Sequence, residues 1–361
     1  MSELTLNEIL KVAVEKDTSD ILIKADCHPT FLIRGKTCQE ESFPVLGGED
    51  CRRILYAIMN PDQIHEFETT FDFDMGFEIP GLSRFRVNLF HEKGHPGAVM
   101  RAIKSDGIRT TEQLGLPPVL RKLVVEKQGL ILVTGPTGSG KTTTLAAMLD
   151  YANAWKDGHI VTIEDPIEVM YANRKSVVTQ REVGNDTKSF SQALRAALRQ
   201  APTIILIGEM RDRETIEAAL KAAETGHLVL STLHTNDSVQ TINRILNAFP
   251  PQEQDPIRIQ LANVLKACVA QRLAPRADKP ERRLVLDILI NTTTAKEAIL
   301  KNQIDELYEI VKTGAFDGMQ STQQGLLDGY RQGYFSAETC IAYSNLPNEM
   351  MQLLRAAARG G

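Results

Sequence analysis

The chain has 361 residues, with 41 Lys and Arg against 46 Asp and Glu, for a formal charge of −5. That length accommodates two domains with sizeable cores, and the acidic balance excludes a general attraction to nucleic acid or anionic lipid, leaving only local patches. Cys27, Cys38, Cys51, Cys268 and Cys340 form no CxxC pair, no apolar run approaches a transmembrane length, and the charged N-terminus MSELTLNEILKVAVEK is no secretory signal, so free thiols in a reducing cytosol and no zinc site are expected.

Leu6, Ile9, Leu10 and Ala13 share one face of a first helix. Short strands follow at 20–24 and 31–34, divided by a turn at Pro29. Ile54, Leu55 and Ile58 mark a second helix that Asn60-Pro61 stops, and a helix over 62–68 leads into a strand over 71–79. The stretch SRFRVNLF, 83–90, alternates: Arg84, Arg86 and Asn88 face one way, Phe85, Val87 and Leu89 the other. HEKGHP, 91–96, reads as a hairpin loop, and 97–104 returns antiparallel. Pairing Phe90 with Gly97 sets Arg86 opposite Arg101. This first part, 1–104, is α+β, and 105–118, with Gly107, Gly115 and Pro117-Pro118, reads as a linker.

From 119 to 361, apolar strands at 130–134, 160–163, 204–207 and 228–232 alternate with helices at 142–155, 190–200 and 213–225. This alternation predicts an α/β domain with a parallel-rich sheet. Val239, Ile242, Ile245 and Phe249 mark a further helix. A long helix is predicted over 253–272, then a strand over 284–290 and three more helices.

The strand at 130–134 opens into Gly135-Pro136-Thr137-Gly138-Ser139-Gly140-Lys141-Thr142, which fits the phosphate-loop pattern GxxxxGK[ST] at every position. Glycines there let backbone N–H groups point inward and hold phosphate oxygens at a helix N-terminus. Lys141 reaches the β- and γ-phosphates, Thr142 offers its hydroxyl to Mg²⁺, and Thr143 follows it at the nucleotide. ATP and Mg²⁺ are therefore the expected ligands. A nucleotide hydrolase also needs a carboxylate toward Mg²⁺ and one that orients water, and open α/β sheets put such groups at the carboxyl ends of strands. Two strands end in acids: 160–163 in Glu164-Asp165 and 204–207 in Gly208-Glu209. Glu164 is assigned to water and Glu209 to Mg²⁺, directly or through water. His227 and His234 flank a strand whose seven residue steps span roughly 23 Å. His234 lies at the phosphate edge as a candidate γ-phosphate sensor, and His227, at the far edge, is structural.

GPTGSGKT, VTIEDPIE (161–168), VVTQREVGNDTKSF (177–190), LRQAPTIILIGEMRD (198–212) and ETGHLVLSTLHTNDSVQTINRI (224–245) together resemble the type II/IV secretion ATPase superfamily, and within it the type IV pilus retraction ATPases of the PilT/PilU family. SDILIK, GLSRFRVNLF (81–90) and GMQST (318–322) extend the resemblance over nearly the whole chain. It implies a PAS-like N-terminal domain, a RecA-like P-loop NTPase domain and a homohexameric ring. It also implies a catalytic Glu164, a Walker B Glu209, a sensor His234, and Arg86 and Arg101 offered to a neighbouring subunit's ATP. Implied partners are an inner-membrane pilus platform protein and a paralogous pilus ATPase, at the cytoplasmic face of the inner membrane, with no direct membrane span and no nucleic acid. The chain departs from the pattern in three places. Thr203 replaces the usual Asp; 294–301, TAKEAILK, keeps neither arginine of the family's AIRNLIRE stretch; and the tetracysteine zinc module of assembly and secretion ATPases is absent.

The expected function is a hexameric ATP-hydrolysing motor for pilus retraction, with an accessory, PilU-like role favoured by TAKEAILK. Other readings are a pilus assembly or type II secretion motor, a nucleic-acid translocase, which the acidic charge disfavours, and a nearly non-hydrolysing regulator, which the two acids disfavour.

Overall fold

The structure, a computed structural model, describes residues 4–33, 35–103 and 107–359. Arg34 and Lys104, expected to end strands, and Ser105 and Asp106, expected to begin the linker, lie outside the described residues. The chain forms two compact units: Met1–Gly107 with Asp165–Met170 and Gly184–Asp186, and Ile108–Glu164 with Tyr171–Val183 and Thr187–Gly361.

The first unit runs α1 (Leu6–Glu15), β1 (Asp20–Ile23), β2 (Thr30–Ile33), β3 (Lys36–Gln39), α2 (Gly48–Tyr56), α3 (Pro61–Thr70), β4 (Asp72–Ile79), β5 (Ser83–Glu92) and β6 (His95–Ile103). Its strands form an antiparallel sheet in the order β3-β2-β1-β6-β5-β4. The edge strand β3 was not anticipated, because KTCQ is exposed throughout and carries no apolar alternation. α2 already ends at Tyr56, short of Ile58, so Asn60 and Pro61 do not stop it. The Asn60 side chain accepts the Gln63 N–H at 2.9 Å and Pro61 takes the first helical turn, where its missing donor is harmless, so the pair opens α3. The hairpin loop is shorter than 91–96. Both strands continue to Glu92 and His95, and Lys93-Gly94 alone makes the turn, with φ of 53° and 81° that match the twist of paired strands. Phe90 pairs with Gly97 and Arg86 with Arg101, the register expected of the hairpin.

In the second unit, α4 (Pro118–Val124) precedes β7 (Gly129–Thr134), α5 (Lys141–Trp155), β8 (Gly158–Glu164), β9 (Ser176–Glu182), α6 (Phe190–Ala197), β10 (Ile204–Ile207), α7 (Arg213–Glu224) and β11 (Leu228–Leu233). Then come α8 (Ser238–Leu246), α9 (Pro251–Val264), β12 (Leu265–Pro275), β13 (Arg282–Ile290), α10 (Thr293–Leu300), α11 (Glu306–Thr313), α12 (Thr322–Arg331), α13 (Ala337–Tyr343) and α14 (Pro347–Arg359). The sheet order is β13-β12-β7-β11-β10-β8-β9, parallel at every pairing except β12 with β13. Every residue of β7, β10 and β11 is buried, as expected of strands covered on both faces. Leu130 and Leu132 pack in one core with Leu220, Ile242 and Leu261, whereas Ile131 and Val133 pack in another with Leu120, Leu145 and Met148. Each such side chain contributes about 1.5–3 kcal/mol of burial, which holds both helical layers to the sheet.

Two expectations for this unit are corrected. The helix predicted over 253–272 stops at Val264, and Leu265–Pro275 is a strand. No Gly or Pro marks the change; what imposes it is the edge of β7, whose backbone groups β12 satisfies on the side away from β11. The three predicted terminal helices are five among the described residues, α10 to α14.

A buried carboxylate fastens two of the helices. Asp287 on β13, 7% exposed, accepts from the Ser238 N–H at 3.0 Å and its hydroxyl, and from the Thr322 N–H at 3.1 Å and hydroxyl at 3.3 Å. These are donors at the starts of α8 and α12. Asp287→Ala leaves them buried without an acceptor, so a destabilisation of about 2–4 kcal/mol is expected. A lowered midpoint with unchanged slope in urea unfolding checks this, and a midpoint equal to wild type contradicts it.

Candidate nucleotide-binding and hydrolysis site

The register of the parallel strands sets Ile163, Ile207, Ser231 and Leu132 in one row across β8, β10, β11 and β7. Glu164 stands one residue beyond that row, Glu209 two, and His234 and Gly135 three. All four lie at the carboxyl edge, where open α/β sheets bind ligands. His227 lies at the opposite edge. Its carbonyl accepts the Gly129 N–H at 3.0 Å and its Nδ1 meets the Ala222 carbonyl at 3.0 Å, a structural engagement.

The phosphate loop joins β7 to α5. Gly135, Gly138 and Gly140 have φ of 141°, 76° and 89°. A Cβ on Gly135 would stand 2.2 Å from the Gln271 carbonyl oxygen, so glycine is required there on both counts. Gln271, 2% exposed on β12, donates from Nε2 to the Ser139 carbonyl at 2.7 Å and braces the loop from below. The Lys141 ammonium donates to the carbonyls of Gly135 at 2.8 Å and Pro136 at 3.2 Å, which holds the cation over the loop. The Ser139 hydroxyl is buried with no hydrogen-bond partner. A loop of backbone donors closed to any side chain at Gly135, with an ammonium above it, fits a polyphosphate. Thr142, exposed at the loop, and Glu209 carry hard oxygen donors of the type that suits Mg²⁺.

Glu164 is 7% exposed, and its Oε1 accepts from the Thr162 hydroxyl at 2.6 Å and Gln180 Nε2 at 3.1 Å. Gln180, on β9, is itself fixed because its Oε1 accepts the Tyr171 N–H at 2.9 Å. Burial, with the charges of Glu164 and Asp150, pushes the Tyr171 phenol well above its usual value, so it adds no charge near Glu164. Glu209 and His234, chosen separately from the sequence, are in contact: His234 Nε2 lies 3.1 Å from Glu209 Oε1, and Arg211 Nε donates to Oε2 at 2.8 Å. Chemically, the edge offers a buried carboxylate aimed by two donors and a second carboxylate bridged to a histidine.

Arg86 and Arg101 belong to the first unit, as cross-strand neighbours on β5 and β6. Arg86 lies 3.9 Å from Glu168, and Arg101 donates to Asp20 at 2.8 Å, with the arginines 47% and 69% exposed. Exposed pairs of this kind contribute about 0–1 kcal/mol, so either guanidinium is readily given to another anion. Gln180 and Gln271 were missed in the sequence. Both are neutral amides, and Gln271 fell in the segment read as helix.

Residues 51–330 match the family described as type II/IV secretion system protein. The type IV pilus ATPase PilU of Pseudomonas aeruginosa is 39% identical over 352 residues, covering 98% of this chain and 92% of that protein. The type IV pilus retraction ATPase PilT of the same organism is 40% identical over 344 residues, covering 95% and 99%. The crystal structure of the pilus retraction motor PilT with bound ADP shares 42% identity and a TM-score of 0.89, with 97% of this chain and all of that one covered. The chain therefore belongs to the type II/IV secretion system protein family. Its similarity to the pilus ATPases runs the length of both chains.

The Gln180 amide is expected to aim Glu164 rather than to bind nucleotide. Gln180→Ala should lower ATP turnover on the order of tenfold, the worth of a hydrogen bond to a charged group, with nucleotide affinity unchanged. Steady-state phosphate release beside a fluorescent-nucleotide titration checks this; weakened binding at unchanged turnover contradicts it.

Proposed function

We propose that this protein is an ATP-hydrolysing motor that powers retraction of type IV pili. The observation that carries the reading is the row of strand ends that gathers the phosphate loop, Glu164 and the Glu209–His234 pair at one edge. The end-to-end likeness to a retraction ATPase favours retraction over assembly.

In this mechanism the loop N–H groups and Lys141 hold the β- and γ-phosphates. Glu164 accepts a hydrogen bond from the attacking water and orients it in line with the γ-phosphorus. His234, held by Glu209, contacts the γ-phosphate and registers its loss. Mg²⁺, held by Thr142 and Glu209, would supply charge neutralisation at the phosphates. Arg86 and Arg101 of one subunit serve the ATP of its neighbour in a hexamer, where an added cation is worth on the order of 10³ or more in rate. The ring works at the cytoplasmic face of the inner membrane against a platform protein; among the described residues no helix is long and apolar enough to cross a membrane. TAKEAILK at 294–301, with neither arginine, favours an accessory motor working beside a paralogous one.

Purified Lys141→Ala and Arg86→Ala proteins should each be nearly inactive, and an equal mixture should regain part of the wild-type rate, because an intact loop can then face an intact arginine. A mixture as inactive as its components contradicts the shared site. Cells carrying Lys141→Ala in place of the native chain should accumulate unretracted pili, and cells that lose their pili instead would assign the motor to assembly.

A further inference from the structure

Two neighbouring side chains on β12 point to opposite faces, as strand residues must. Gln271 braces the phosphate loop at Ser139. Arg272 reaches two other segments. One terminal nitrogen donates to the Asn236 carbonyl at 2.8 Å and to Asn345 Oδ1 at 2.6 Å, and the other to the Tyr343 carbonyl at 2.6 Å. Asn236 lies two residues beyond His234, and Tyr343 and Asn345 lie where α13 passes into α14.

The segment 234–238 is tied at intervals. Glu209 meets it at His234, Arg272 at Asn236 and Asp287 at Ser238, while Asp237 caps α8 by accepting the Gln240 N–H at 2.7 Å. The C-terminal helices pack in their own small core, with Leu326, Phe335, Cys340, Met350 and Leu354, against Ala274 and Val285. A guanidinium is a rigid planar fork, so its donors cannot follow two acceptors that move apart. Arg272 is half-buried, and burial lowers its pKa against the charges of Asp287 and Asp237. A group held there at that desolvation cost loses most if one side of its acceptor set shifts.

We propose that Arg272 is a positioning residue that couples the placement of α13 and α14 to the loop carrying His234, so that the nucleotide state at the strand edge and the state of the C-terminal helices set one another. The inference rests on the ATPase reading above. By linkage it is reciprocal: what restrains the C-terminal helices alters turnover, and what binds at the site alters those helices.

The test uses the full chain and four variants. Asn345→Ala, which removes one acceptor on the C-terminal side, should lower kcat several-fold with KM for ATP unchanged; Arg272→Gln should lower it on the order of tenfold, within the range of such couplings. Adding Arg272→Gln to His234→Ala should lower kcat no further than His234→Ala alone, since both act through one loop. Binding of ADP should change amide hydrogen exchange over 343–346 in the wild type, and Arg272→Gln should abolish that response. Multiplicative losses in the double variant overturn the coupling, as does an Asn345→Ala protein with wild-type kcat and ADP response. The Asn345→Ala arm decides alone if Arg272→Gln does not fold. Wild-type protein that releases no phosphate refutes the ATPase reading itself, whereas a hydrolysing wild type with multiplicative losses refutes only the coupling.

Discussion

Parallel register is the constraint on which the site depends. Hydrogen bonds along β7, β11, β10 and β8 hold Leu132, Ser231, Ile207 and Ile163 in one row, and that row alone decides that Gly135, His234, Glu209 and Glu164 emerge together. The strands come from stretches far apart in the chain, and sliding one by a single residue would turn its buried side chains to the other face. Because β7, β10 and β11 are buried on both faces, the packing of two separate cores resists that slip. The chemistry at the edge is thus supported by burial that touches no ligand.

Backbone approach adds a second constraint. β12 comes so near the phosphate loop that no Cβ fits at Gly135, and the same strand sends Gln271 to the Ser139 carbonyl. A loop that must present its N–H groups to phosphate cannot use them all on itself, so its shape is maintained from outside, by β12 on one side and the start of α5 on the other. Glu164 is treated likewise: Thr162 and Gln180 fix one carboxylate oxygen. In both cases a neutral donor positions the working group without changing the charge of the site.

Features that depend on contiguous residues were legible in the sequence. The phosphate loop is one uninterrupted segment between an apolar strand and a helix. Glu164 and Glu209 each close an apolar run, and the alternation of 83–90, with a hairpin that pairs Phe90 with Gly97, sets Arg86 opposite Arg101. What stayed hidden depends on distant partners. Leu261, Leu265, Cys268 and Arg272 keep a helical spacing, and only the open edge of β7 turns 265–275 into a strand; with that strand unseen, Gln271 could not be placed beside the loop. β9 is polar or half-exposed over much of its length, so nothing in SVVTQRE announces that Gln180 meets Glu164. The Glu209–His234 contact follows from the pairing of β10 with β11, which sequence spacing does not encode.

The most direct measurement of the central claim, that this edge hydrolyses ATP through Glu164, is a single-turnover experiment on the Glu164→Gln protein. The amide keeps the shape of the side chain but cannot accept the water's proton as a carboxylate can. ATP should bind with wild-type affinity and remain intact over the time in which the wild-type protein releases its phosphate. Phosphate release at the wild-type rate would show that the water is activated elsewhere, and the assignment of the strand edge as the hydrolytic site would be wrong.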